Sequence, residues 1–125
     1  MTAPETSARD ISGLPESMRA RVEARNALSP LDRVREFLGS HVLDADGLDE
    51  VRADLRRTAH FSTMRHRGDL VALEAVAAAH HPPGTLARLV GWEANWVLDD
   101  PSDAGAAQFL RELAQMLREV IEEAE

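Results

Sequence analysis

The chain of 125 residues contains no cysteine, no lysine and no tyrosine. The absence of cysteine excludes disulfide bonds, zinc–thiolate sites and a cysteine nucleophile. No apolar run approaches the roughly 20 residues that a membrane-spanning helix needs, and the first residues lack the basic and apolar regions of a signal peptide. We therefore expect a cytoplasmic protein that does not enter the membrane.

Motifs that would identify an enzyme or a metal site are also missing. The five histidines form no HExxH pair, and the chain has neither a glycine-rich phosphate loop nor a serine nucleophile elbow. The run around Gly47 is superficially similar to a calcium loop, but Val42 and Ala53 would occupy its first and last ligand positions. We expect no catalysis, no metal and no cofactor.

Arginine supplies all 14 basic charges, against 22 acidic residues, and the net charge is −8. The acids are concentrated in residues 89–125, which carry nine acids and two arginines, whereas residues 52–88 carry three acids and six arginines. An acidic chain is a poor binder of nucleic acid, and its C-terminal third would attract a basic protein. The basic stretch 52–67 is expected to pair with acidic helices of the same chain.

Helix signals are frequent along the chain, and strand signals are missing. Ser29 followed by Pro30 and then an acid is a typical helix start, and Asp69, Thr85 and Asp100 are predicted to cap later helices. These signals predict an all-α fold, a compact bundle of five or six short helices with a long amphipathic C-terminal helix. A disordered tail is predicted for residues 1–12, and a single helical-bundle domain for residues 13–125.

The last helix has the most regular apolar pattern in the chain. Its apolar residues follow one another at spacings of four and three: Ala106, Leu110, Leu113, Leu117, Val120 and Ala124. A stripe of this kind suits a surface helix that packs on its own bundle. It also suits a coiled-coil seam between two copies, so a homodimer is the alternative.

The stretch GWEANWVLDDPSD, residues 91–103, combines both tryptophans of the chain with four acids. A helical wheel for residues 86–98 places Trp96 and Val97 on an apolar side, with Glu93 in the middle of that side and Trp92 at its edge. Because a buried carboxylate needs a partner, Glu93 either pairs with an arginine or histidine of residues 52–67 or faces an open partner site. The expected partner-binding residues are Trp92, Glu93, Trp96, Asp99, Asp100 and Asp103.

The three aspartates of this stretch have two interpretations. Negative charge stabilises the N-terminus of a helix by about 0.3–1 kcal/mol for each residue, so capping of the last helix accounts for one or two of them. In the other interpretation they extend the acidic surface around Trp92, an aromatic residue of the kind that dominates binding energy at protein interfaces.

The segment NWVLDDPSDAGAAQFLREL, an acid-rich turn followed by the amphipathic helix, resembles the small acidic helical immunity proteins of bacterial toxin–immunity systems. The resemblance implies a non-catalytic protein that neutralises a toxin by placing an acidic surface in the basic cleft of the toxin domain. Two alternatives stay open. One is a homodimeric helical adaptor or regulatory protein, and the other is a small helical ligand-binding domain with Glu93 and a histidine in a pocket.

Overall fold

The computed structural model describes residues 28–125, and within this range the chain forms helices and no β-strand. The helices are α1 Pro30–His41, α2 Leu48–Ala59, α3 Met64–Ala78, α4 Thr85–Arg88 and α5 Asp103–Ala124, and a π-helical turn, Leu89–Glu93, follows α4 directly. The predicted all-α fold with a long C-terminal helix is confirmed. The predicted tail of residues 1–12 and the first part of the predicted domain, residues 13–27, lie outside the described residues.

Helix α5 forms the centre of the bundle and packs against α2, α3 and α4. Its predicted apolar stripe is buried as far as Val120, and Leu110, Leu113 and Leu117 have no exposed surface. Ala124, at the end of the stripe, is exposed. The side of α5 that could have formed a coiled-coil seam therefore packs within its own chain.

Helix α1 begins at the predicted position. The Ser29 hydroxyl accepts a hydrogen bond from the Asp32 backbone N–H at 3.2 Å, and Pro30 is the first helical residue. Proline is favoured there because the first N–H groups of a helix have no partner within the helix. The buried side of α1, with Val34 and Phe37, packs against α3.

Helix α3 begins earlier than predicted, and Asp69 does not cap it. Asp69 lies inside the helix and is 3% exposed, and its Oδ1 accepts a hydrogen bond from Arg33 Nε of α1 at 2.9 Å. Gly68 permits this approach, since a Cβ atom there would overlap the Arg33 guanidinium group. The prediction was wrong because Asp69 pairs with a charged residue of another helix, and α3 begins at Met64.

The arginines of the basic stretch pair with α5, as predicted. Arg52 Nη2 lies 3.0 Å from Glu119 Oε1, and Arg56 Nε lies 3.0 Å from Glu123 Oε1. Arg67 pairs with Glu125, two residues further along and just beyond the end of α5. Exposed pairs of this kind contribute about 0–1 kcal/mol each, so they align α2 and α3 with α5 more than they stabilise the bundle. No helix of residues 28–125 is long and apolar enough to cross a membrane.

Candidate functional site

Trp92 is the most exposed large aromatic side chain of the predicted site, with 81% of its surface accessible. It lies in the π-helical turn and forms one wall of a groove of about 530 Å³. The other walls come from α1, from the loop after α3 and from α4, and the lining residues are Leu31, Arg35, His81, Pro82, Thr85, Arg88, Leu89 and Glu93.

Glu93 pairs with a different residue from the ones predicted. Its Oε1 lies 3.6 Å from Arg35 Nε of α1, not beside a cation of residues 52–67, and its side chain is 43% exposed. Arg35 also contacts Asp32, at 2.7 Å. Glu93 is therefore a half-exposed member of a small ion-pair network at the rim of the groove, and its carboxylate is not buried.

The π-helical turn explains why the helical wheel placed this region incorrectly. An α-helix was predicted for residues 86–98, but α4 ends at Arg88 and the turn ends at Glu93. Hydrogen bonds from residue i to i+5 widen the turn, so the side chains that follow are rotated away from the positions of an α-helical wheel. Such turns are frequent at functional sites.

Trp96 lies on the other side of this segment, against the core. Its ring packs on Phe109 of α5 with 5.5 Å between the ring centroids and 31° between the planes. The side chain is partly buried and contacts the main core cluster. The predicted difference in exposure between the two tryptophans is thus confirmed, and Trp96 anchors the segment while Trp92 projects from it.

Val97 was predicted to share the apolar side with Trp96, but it is 94% exposed. Asn95 has a φ of 49°, in the left-handed region, and is the only non-glycine residue of 28–125 with a positive φ. Asparagine tolerates this conformation better than most residues. The chain changes direction there, which separates Val97 from the face that carries Trp96.

Asp100 does not cap α5, because Ser102 occupies the N-cap position and accepts a hydrogen bond from the Gly105 N–H at 3.3 Å. The Asp100 carboxylate instead accepts hydrogen bonds from the Ser102 hydroxyl at 2.6 Å and from its N–H at 3.1 Å. These bonds hold the pKa of Asp100 below its ordinary value. Asp100 therefore shapes the turn that precedes the cap, and its carboxylate stays exposed.

Asp103 stabilises a helix other than its own. Its two oxygens accept hydrogen bonds from the Gly84 N–H at 2.7 Å and the Ala87 N–H at 2.9 Å, at the start of α4. These two bonds lower the pKa of the Asp103 carboxyl. Both carboxylate oxygens are thus engaged within the chain, and we reassign Asp103 from partner binding to the attachment of α4 to α5.

The remaining acids line a second, shallower groove beside the N-terminus of α5. Asp99, Asp100 and Glu112 contribute three carboxylates to its walls, and Arg111 contributes a cation. Phe109, which packs on Trp96, also lines this groove. The six predicted residues consequently divide into an exposed tryptophan with Glu93 at one groove, a pair of aspartates at another, and two structural residues, Trp96 and Asp103.

Two residues of the Trp92 groove, Arg35 and His81, were not predicted. They are 57 and 11 positions away from Trp92 in the sequence, on α1 and on the loop after α3. No local pattern connects them to Trp92, because only the packing of α1 against the π-helical turn brings them together.

Within residues 28–125, no group of three or more histidine or acidic side chains is arranged to hold a metal ion. Neither a protein-family model, nor a curated protein, nor a solved structure matches this chain. The resemblance to immunity proteins stays a prediction from the segment 95–113.

Proposed function

We propose that this chain is a non-catalytic protein-binding module that neutralises a bacterial toxin in the manner of an immunity protein. One observation carries the proposal, namely that four side chains of residues 92–100 are exposed close together in sequence: Trp92, Val97, Asp99 and Asp100. Within these nine residues Trp92 and Val97 are 81% and 94% exposed, and Asp99 and Asp100 are exposed beside them. Exposed tryptophan is costly to leave in water and is enriched among residues that dominate binding energy.

The charge around this segment favours a basic partner. The second groove has three carboxylates, from Asp99, Asp100 and Glu112, against one guanidinium group, from Arg111. A surface of this sign speeds the approach of a positively charged protein and repels nucleic acid. A nuclease toxin has a positively charged cleft for its own substrate, so it is the kind of partner that this surface fits.

The supporting scaffold is rigid where such a partner needs it to be. Trp96 packs on Phe109, and Asp103 ties the start of α4 to the start of α5. The exposed residues between these two anchors are therefore held in place before binding, which lowers the entropy that association would otherwise lose.

The test uses the purified full chain and the toxin domain encoded directly upstream of its gene. Trp92→Ala should weaken binding by about 30-fold or more, which corresponds to about 2 kcal/mol. The double substitution Asp99→Lys and Asp100→Lys should slow association and reduce its dependence on salt. Stopped-flow and equilibrium titrations measure both effects.

Glu122→Lys is the matched control for the charge reversals. Glu122 is an exposed acid in the last turn of α5, and the length of the helix places it about 30 Å from Ser102. It should leave the association rate nearly unchanged. Absence of binding to the toxin, or an equal effect of Glu122→Lys, would contradict the proposal.

A second candidate function rests on the Trp92 groove itself. The groove contains both Glu93 and His81, which is the pairing expected of a ligand-binding helical domain, and its volume lies in the range of small-molecule sites. A ligand with an apolar body and a polar end would fit it. Nuclear magnetic resonance screening of small compounds should then shift the signals of residues in the Trp92 groove. The signals of the second groove, with Asp99, Asp100 and Glu112, should stay unchanged.

A further inference from the structure

A buried cluster of polar side chains lies where α1, α2 and α3 meet, away from both grooves of the proposed function. Its members, which we call the histidine cluster, are His41, Asp54, Thr58, His66 and Asp69. His66 is 2% exposed and Asp69 is 3% exposed. Among residues 28–125, all other charged or polar residues are more exposed than these two. Neither side chain takes part in the partner surface.

Hydrogen bonds determine which nitrogen of His66 carries its proton. Nε2 lies 3.1 Å from the carbonyl oxygen of Leu55 and 2.8 Å from the Thr58 hydroxyl oxygen. A carbonyl oxygen only accepts hydrogen bonds, so Nε2 must be the donor and Nδ1 is the unprotonated nitrogen of the neutral ring. Nδ1 is buried and has no hydrogen-bond partner among the described residues.

Protonation of His66 would therefore place a new N–H group, and a positive charge, where residues 28–125 offer no acceptor. A buried donor without a partner destabilises the folded state, and a buried charge does so more strongly. Burial is the main reason that the pKa of His66 lies below its ordinary value. The cluster is built for the neutral ring.

The charges that face His66 come from two neighbouring helices and from its own. His41 of α1 stacks edge-on at 5.8 Å between ring centroids, and its Nδ1 lies 2.5 Å from Asp54 Oδ2 of α2. The charge of Arg65, which is also on α3, disfavours protonation of His66, whereas the Asp69 carboxylate favours it. The Asp69 carboxylate already pairs with Arg33 at 2.9 Å, so its effect on His66 is divided.

We infer that the histidine cluster is an acid-sensitive latch, in which protonation of His66 destabilises the junction where α1, α2 and α3 meet. The folded state binds the proton less readily than the unfolded chain does, whose histidine has a pKa of about 6.5. The stabilisation is therefore complete above about pH 6.5 and is lost as the pH falls below that value. The latch does not depend on the proposed partner.

The experiment measures urea unfolding of the full chain by circular dichroism at about pH 7.5 and about pH 5.5, on either side of the ordinary histidine pKa. The unfolding constant of the wild-type protein should rise by up to about tenfold at the lower pH. This is the limit for one proton over the single pH unit between the ordinary histidine pKa of about 6.5 and about pH 5.5. His66→Gln should remove most of this difference. His80→Gln, at an exposed histidine, should retain it.

A direct titration covers the case in which His66→Gln does not fold. Nuclear magnetic resonance of the histidine rings in the wild-type protein should show His66 titrating below its ordinary pKa, in step with the loss of folded-state signals from α1, α2 and α3. Titration of His66 at or above the ordinary value would overturn the inference. Equal unfolding constants at the two pH values, or a wild-type pH response in a folded His66→Gln protein, would do so as well.

Discussion

Truncation of the two tryptophans should separate the anchor of the exposed segment from its binding residue. A fully enclosed tryptophan buries about 150–250 Å². Trp92 is 81% exposed, so it hides only about 40 Å², which at about 25 cal/mol per Å² is about 1 kcal/mol. Most of Trp96 is enclosed, and about 150 Å² corresponds to about 4 kcal/mol as an upper limit, since an unfolded chain also buries some surface.

We therefore expect Trp96→Ala to lower the free energy of unfolding by about 2–4 kcal/mol, the lower part of the range arising because some of the ring is exposed. Trp92→Ala should lower it by about 1 kcal/mol or less. Urea unfolding followed by far-ultraviolet circular dichroism measures both, since fluorescence would lose one of its two reporters in each variant. Equal losses for the two variants would refute the assignment of Trp96 as anchor and Trp92 as exposed residue.

Four further substitutions test other parts of the fold. Gly105→Ala should lower the melting temperature because its Cβ atom would overlap the Asp100 backbone oxygen, whereas Gly39→Ala, in open space on α1, should raise stability by about 0.5–1 kcal/mol. A lower melting temperature for Gly39→Ala alone would contradict this. Asp103→Asn should weaken the attachment of α4 and lower the free energy of unfolding. This difference from the wild type should disappear in acid, because the lowered pKa of Asp103 confers stability above about pH 3.8 that is lost as the pH falls. A difference in the free energy of unfolding that does not depend on pH would count against this role. Leu117→Asp should abolish cooperative unfolding, because it places an unpaired charge at a position with no exposed surface, and a folded variant of normal stability would refute the assigned core.

The helices could be predicted from sequence where their signals are local. The Ser29 cap acts within three residues, and the stripe of α5 repeats regularly over its 22 residues, so both were placed correctly. The position of Trp92 at the edge of the helical wheel agrees with its exposure, although the turn there is π-helical and not α-helical. Interactions between neighbours in sequence, and the periodicity of a helix, are properties that the sequence displays directly.

Other positions were decided by partners distant in sequence. Asp69 and Asp103 both have the local setting of a helix cap, yet Asp69 pairs with Arg33 and Asp103 binds the backbone of α4. Glu93 likewise meets Arg35 and not the basic stretch. A carboxylate binds whichever donor the folded chain brings nearest, and sequence spacing does not reveal that donor.

The sequence by itself determined the all-α class, the apolar face of α5 and the concentration of acid in the last third of the chain. Only the tertiary structure decided that the six predicted site residues divide between two grooves and the scaffold, and that His66 is buried at the junction of three helices. The physical reason is the range of the interactions. Helix formation depends on residues three or four positions apart, whereas grooves and buried polar clusters arise where separate helices pack together.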